Sequence, residues 1–295
     1  MEAPSPRRSP RQVVDEHVSP RPPPAAGFDR VVYGLVQPLL GARMLFGDRE
    51  LLIAALIPAA LLAGVCALAA IFGPPGRHLQ TFYTTFALLA PLPSVILAHH
   101  YARLAVLARH KLGFSRAEPC LESLRRNLGR AVKQAILIAL AVAPVTALLG
   151  AIPDAGGALA RAVAAVWGLH WVVVDAFDSA RYLSPGQTIA DLDAEAQRIQ
   201  SPWYVRWLRR AADKISIGGR LLARFARLCD RLSLPWREEI ELIEKHPALM
   251  LGFALSTAAI LAIPIVNLAF RPIVIIGAAH VLGQLEATVP RGHSA

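Results

Sequence analysis

The chain has 295 residues, 55% of them hydrophobic and 18% charged, with a mean hydropathy of +0.44, and that apolar share exceeds what a soluble core of this size needs. The surplus has to face lipid. Lys and Arg number 31 against 21 Asp and Glu; because the basic residues flank long apolar runs and form no separate folded module, the excess points to anionic lipid and no nucleic-acid partner is expected.

Residues 1–26 open the chain with prolines, arginines and serines and no apolar centre, so they predict a disordered Pro/Arg-rich cytoplasmic tail and no secretory signal. A PxxP-type ligand around Pro22-Pro23-Pro24 is the alternative to a plain solvated tail. Residues 27–290 read as a helical membrane domain. A helix crossing the hydrocarbon core takes about 20 apolar residues, and residues 51–72 supply such a run without a charge. Residues 79–98 form a second run, kinked where Pro91 and Pro93 remove backbone donors. Residues 135–152 and 158–177 form a third and fourth, joined by a tight hairpin at Pro153-Asp154-Ala155-Gly156-Gly157. Residues 248–266 and 268–285 form a last pair, separated only by Asn267. The expectation is an all-α, polytopic helical membrane protein with about six hydrophobic segments, in which segments of the later pairs either cross or enter as re-entrant hairpins.

Lys and Arg count seven in residues 1–50, eight in 99–134 and twelve in 178–247. The intervening connections hold only Arg77, Arg161 and Arg271. Cytoplasmic loops retain basic residues, so the pattern predicts a multi-pass protein with both termini in the cytoplasm. Ala, Arg and Pro richness adds the impression of GC-rich bacterial DNA, hence a bacterial inner membrane.

Residues 184–246 form a basic insertion. Trp203, Trp207, Leu208, Ala211, Ala212 and Ile215 recur at helical spacing beside Arg206, Arg209, Arg210 and Lys214. After Gly218-Gly219, Leu221, Leu222, Phe225, Leu228 and Leu232 alternate with Arg220, Arg224, Arg227 and Arg231. Two amphipathic helices follow, cytoplasmic or interfacial. Either they lie on the inner leaflet with arginines toward anionic headgroups, or they pack on each other or on a partner subunit.

No nucleotide loop, paired-carboxylate site or nucleophile with its base is present, so no catalytic residue is assigned and an enzyme is not expected. Cys66, Cys120 and Cys229 are scattered without CxxC spacing; they read as small buried apolar residues, with no metal and no cofactor expected. His170, inside the fourth run and followed by Asp175 and Asp178, is a candidate proton relay; the alternative is a helix-bonded imidazole, with Asp175 ending the helix. Arg271, next to a break between apolar segments, either contacts an anion together with Asn267 or snorkels to the interface. Gly47-Asp48-Arg49-Glu50 is either an anion-binding helix start or an Asp48 N-cap.

The run Ile263-Pro264-Ile265-Val266-Asn267 with Arg271-Pro272 and Gly277-Ala278 resembles the C-terminal signature of the CysZ-type sulfate permeases and the related etoposide-induced membrane proteins. Gly27-Phe28 with Gly34 resembles the family's amphipathic opening, residues 51–58 the start of its first long helix, and Ile152-Pro153 with Gly156 its central hairpin. Phe177-Asp178 stands where an acidic helix end is expected. The resemblance covers roughly residues 27–183 and 243–285. It implies a few long transmembrane helices with partly penetrating hairpins, homo-oligomeric assembly and import of sulfate for cysteine synthesis. The family's arginine just after a glycine before the first long helix finds its nearest counterpart in Gly47 and Arg49, here flanked by two acids. The basic insertion and the Pro-rich tail are additional.

The functional expectation is a permease for a small inorganic oxyanion, sulfate first, contacted by Gly47, Arg49, Asn267 and Arg271. The alternative is a non-transporting membrane scaffold that uses the basic insertion to hold lipid or a partner.

Overall fold

The computed structural model describes residues 21–25, 27–89, 95–114, 117–216, 218–261 and 270–288. Nearly all of the predicted tail, and Asn267 with its neighbours in sequence, lie outside the described residues. The chain is all-α: α1 Phe28–Gly47, α2 Arg49–Ile71, α3 His78–Leu89, α4 Ala98–Lys111, α5 Leu124–Gly150, α6 Gly156–Ser179, α7 Ile189–Arg198, α8 Trp203–Lys214, α9 Gly219–Ser233, α10 Arg237–Lys245, α11 Pro247–Leu261 and α12 Phe270–Thr288. The strands β1 Glu118–Pro119 and β2 Tyr182–Leu183 pair antiparallel in two residues each.

Three helices, α2, α5 and α6, are long and apolar enough to cross a membrane. With 23, 27 and 24 residues they reach roughly 35–40 Å at the helical rise. Most of their apolar side chains stay outside the protein core: Leu56, Leu61 and Leu68 on α2 and Ile136, Val145 and Leu148 on α5 are exposed. Surfaces so large and apolar belong in lipid. Asp48 starts α2 as its N-cap, accepting from the backbone N–H of Glu50 at 2.9 Å and of Leu51 at 3.2 Å, as the capping alternative foresees. The α5–α6 turn is the tight hairpin expected, with Asp154 at φ 60 and Gly156 so close to the Leu149 carbonyl that a Cβ would collide with it.

Among the described residues the other predicted runs give no further helix of that length and apolarity. Among the described residues of the run at 79–98, α3 has 12 residues, too few to cross, and the half-buried α4 begins at Ala98 and ends in Arg109, His110 and Lys111. α3 folds against α2, and the Nδ1 of His78 lies 2.7 Å from the Ala70 carbonyl at their turn. Of the last pair, α11 has 15 residues. α12 is buried at every residue from 272 to 281. It is enclosed by α1, α4, α6 and α11.

Glycines set the closest approaches in this core. A Cβ on Gly34 of α1 would strike the Leu249 carbonyl of α11, and one on Gly252 of α11 would strike the Val31 carbonyl of α1. Gly41 of α1 and Gly277 of α12 face the opposing backbones in the same reciprocal way. Without a hydrophobic drive between helices in lipid, such small-residue contacts supply the dispersion that holds them. Tyr33, Phe177, Phe253 and Ile275 fill the space around them.

The insertion folds against the root of the α5–α6 hairpin. α8 and α9 pack antiparallel on each other, with Gly219 against the Ala212 carbonyl, and α9 packs on α5. Leu137, Trp171, Val205, Cys229, Trp236 and Ile240 form their shared core. The predicted apolar face of α8 is divided: Leu208 and Ala212 point inward with Tyr204 and Val205, whereas Trp203 and Trp207 are exposed.

Candidate functional site

Arg271 lies in the first turn of α12, where the helix dipole disfavours a cation. Its Nη1 donates to Asp175 Oδ2 of α6 at 2.7 Å, and its guanidinium lies 5.7 Å from the ring centre of Tyr101 on α4. Two residues singled out in the sequence for different tasks are thereby partners. Asp175 does not end its helix, since α6 continues to Ser179.

One helical turn further along α6, Asp178 accepts from Arg130 of α5. Arg130 also donates to Glu122 Oε1 at 2.9 Å and to the Pro235 carbonyl at 3.3 Å, and it lies over the Trp236 ring at 5.4 Å. Glu122 takes a second cation, Arg126, at 3.2 Å. Arg181, just past α6, pairs with Glu238 at 2.7 Å and Glu239 at 3.5 Å. Burial opposes the charge on Arg181, but Glu239, Asp178 and Glu238 outweigh it and hold its pKa above the ordinary value. Burial pushes Glu239 the other way, above the usual carboxylate range, with Arg181 pulling back.

Arg130 borders two cavities. The inner one, about 70 Å³, lies among α4, α5 and α6 and is lined by Arg130, Arg181, Glu122, Asp175 and Asp178; it holds a few water-sized groups. The outer one, about 380 Å³, has Arg126, Arg130 and Lys133 in its wall against a single carboxylate, Asp193. A third cavity of about 440 Å³ beyond Arg181 carries Glu195, Glu238, Glu239, Glu241 and Glu286 against Arg181 and Lys245. Its sign repels anions, so the outer Arg126–Arg130–Lys133 chamber is the one suited to them.

The remaining candidates fall elsewhere. Gly47 and Arg49 sit at the α1–α2 corner, where Lys111 of α4 bonds Asp48 at 3.1 Å and Glu50 at 2.8 Å. Tyr101, beside Arg271, and Lys111, beside Arg49's neighbours, are separated along α4 by about 15 Å of helical rise, so Arg49 and Arg271 do not share one site. Arg49 itself is exposed. His170 is stacked on Trp167 at 5.4 Å and edge-on to Trp171 at 5.9 Å, with its Nε2 buried and unpartnered. No hydrogen bond joins it to Asp175 or Asp178, whose partners are the arginines, so the three do not assemble a relay among the described residues. His280 is bonded instead, its Nδ1 2.6 Å from Gln37 Oε1 in the α1–α12 core. The three cysteines are free; Cys66 and Cys229 are buried as expected, while Cys120 is only partly so and borders the inner cavity.

Sequence reasoning missed Arg130, Glu122 and Arg126. A signal existed: Arg130 precedes the hairpin turn by about as many residues as Asp178 follows it, so antiparallel arms must set them side by side. The Arg109–Glu286 pair at 2.7 Å, with Arg109 fully buried, joins the ends of α4 and α12 and had no such local signal. Among the described residues no group of His, Cys, Asp and Glu could hold a metal ion. No family model, no curated protein and no solved structure matches the chain.

Proposed function

We propose that the protein is a permease for a small oxyanion, sulfate first, acting as a homo-oligomer in a bacterial inner membrane with both termini in the cytoplasm. The observation that supports this reading is Arg130, which borders both the cationic outer chamber and the inner cavity that reaches Asp175 and its partner Arg271. An oxyanion attracted by Arg126 and Lys133 meets arginines whose carboxylate partners can be exchanged for it, since guanidinium binds both in the same forked geometry. The helix N-terminus beyond, at Arg271, adds backbone dipoles of favourable sign. The concentration of Lys and Arg in alternate connections supports the orientation. The likeness of residues 263–278 to the sulfate permease signature supports the substrate.

Uptake of radiolabelled sulfate into proteoliposomes tests the reading. Flux is expected from the intact chain, and Arg271→Ala is expected to lower it roughly ten- to hundred-fold, the range of one charge-assisted hydrogen bond. Lys133→Glu, on an exposed residue of the outer chamber, should raise the sulfate concentration needed for half-maximal flux. Absence of sulfate flux from intact, folded protein sinks the proposal. Loss on Arg49→Ala with full flux in Arg271→Ala moves the site to the α1–α2 corner.

A further inference from the structure

The interior arginines of this protein are matched by carboxylates: Arg109 with Glu286, Arg130 with Asp178 and Glu122, Arg181 with Glu238, Arg271 with Asp175. The α8–α9 pair is built differently. Arg209 is tied to Asp230, yet Arg210, Lys214, Arg220, Arg224, Arg227 and Arg231 are exposed and none has an ion-pair partner among the described residues. The acids of the pair do not relieve them, since Asp230 is held by Arg209 and Arg237 and leaves only Asp213. Six cations exposed on two packed helices repel one another unless an anionic layer lies against them.

The apolar residues on that surface follow the same geometry. Trp203, Trp207, Arg210 and Lys214 fall within one narrow arc of α8 by the 3.6-residue period, and the two indoles are 49% and 59% exposed. On α9 the four arginines share one arc, flanked by Leu221 and Leu228, which are exposed although apolar. All five tryptophans of the chain gather at this level: Trp167 and Trp171 of α6 reach Tyr204 and Trp236 at 5.4 and 5.5 Å, and Trp203 meets Tyr204 at 5.8 Å. Tryptophan concentrates where hydrocarbon gives way to headgroups, its ring apolar and its N–H needing a polar partner. The level is continuous with the crossing hairpin, because α9 packs on α5 beside Leu137.

We propose that α8 and α9 form a docking surface for the anionic headgroups of the same bilayer that α5 and α6 cross. The indoles of Trp203 and Trp207, with Leu221 and Leu228, enter the headgroup–acyl boundary, and the six unpaired cations neutralise lipid phosphates. The inner faces of the two helices remain packed on each other and on α5. The surface is thus a built part of the fold, distinct from the Arg130 cavities.

The full-length chain in lipid nanodiscs, with tryptophan fluorescence quenched by lipids brominated near the headgroup end of the acyl chain, tests this without measuring transport. The difference between intact protein and the Trp203→Phe/Trp207→Phe variant isolates the two exposed indoles. Brominated phosphatidylglycerol is expected to quench that difference several-fold more than equimolar brominated phosphatidylcholine, with the preference shrinking as salt rises. The variant Arg220→Gln/Arg224→Gln/Arg227→Gln/Arg231→Gln should equalise the two lipids while leaving the detergent melting temperature unchanged, because these side chains are exposed and unpaired. Equal quenching by both lipids in the intact protein overturns the proposal. So does an absence of quenching at Trp203 and Trp207, which would place the surface against water, a protein or a nucleic acid.

Discussion

An arginine in the first turn of a helix and an arginine between two acids at a hairpin root face opposite electrostatic problems, and Arg271 and Arg130 solve them with the same helix. Asp175 and Asp178, one on each of two successive turns of α6, compensate the dipole at Arg271 and the burial of Arg130. Breaking a buried pair on one side leaves the other charge stranded, which costs about 3–5 kcal/mol. Arg130→Ala therefore should strand Glu122 and Asp178 and lower the melting temperature in detergent markedly. The triple variant Arg130→Met/Glu122→Gln/Asp178→Asn should recover most of the loss; if it melts as low as the single variant, the arginine acts through packing on Trp236 instead. At this scale the sequence was half legible. Arg271 and Asp175 stood out because a charge beside or within an apolar run always does, but their partnership joins residues 96 positions apart, which no local pattern encodes. His170 stood out for the same reason and proves to be part of an aromatic stack.

Helix boundaries followed the apolar runs in α2 and α6, because there every residue of the run must satisfy its backbone internally, whereas α5 begins at Leu124, well ahead of its apolar run. The run at 268–285, for which a crossing and a re-entrant segment were both open, forms a buried helix, and hydropathy does not separate a helix buried in protein from one in lipid. α8 misled, since helical spacing marks an apolar arc without saying which part of it turns inward. What did carry information was glycine. Gly34 and Gly41 are seven residues apart on one face of α1, and each admits a different helix, α11 at the first and α12 at the second. Gly252→Ala should place a methyl against the Val31 carbonyl and lower the melting temperature by an amount typical of overpacked cores, about 1–3 kcal/mol. Gly64→Ala is the matched control, because nothing lies within 4 Å of that site and alanine favours the helix. Equal behaviour of the two variants would mean that the α1–α11 contact is not tight.

At the scale of the molecule the α5–α6 hairpin is apolar along its arms and charged at its root. The α5–α6 turn at residues 151–155 stands at the far end of two helices whose other ends are tied to Glu122, Asp178 and Arg181. If both helices cross, cysteines introduced at Ser123 and Ser216 should react with an impermeant maleimide from one side of sealed vesicles, and one introduced at Asp154 only from the other. Labelling of all three from the same side would turn the α5–α6 pair into a re-entrant hairpin. The segregation of basic residues into alternate connections was readable in advance, because charge asymmetry is a property of composition and needs no knowledge of contacts.

The clasp of α1 by α11 and α12 has a consequence for how the protein comes to exist. Helices far apart in the chain occupy one another's grooves, so α1 leaves the ribosome long before α11 and α12 and waits, with its glycine face uncovered, until both have been synthesised. Closure of the bundle then waits for the synthesis of α12. A nascent chain interrupted ahead of residue 270 presents an open seam in the bilayer, the kind of unfinished surface that membrane quality-control proteases remove.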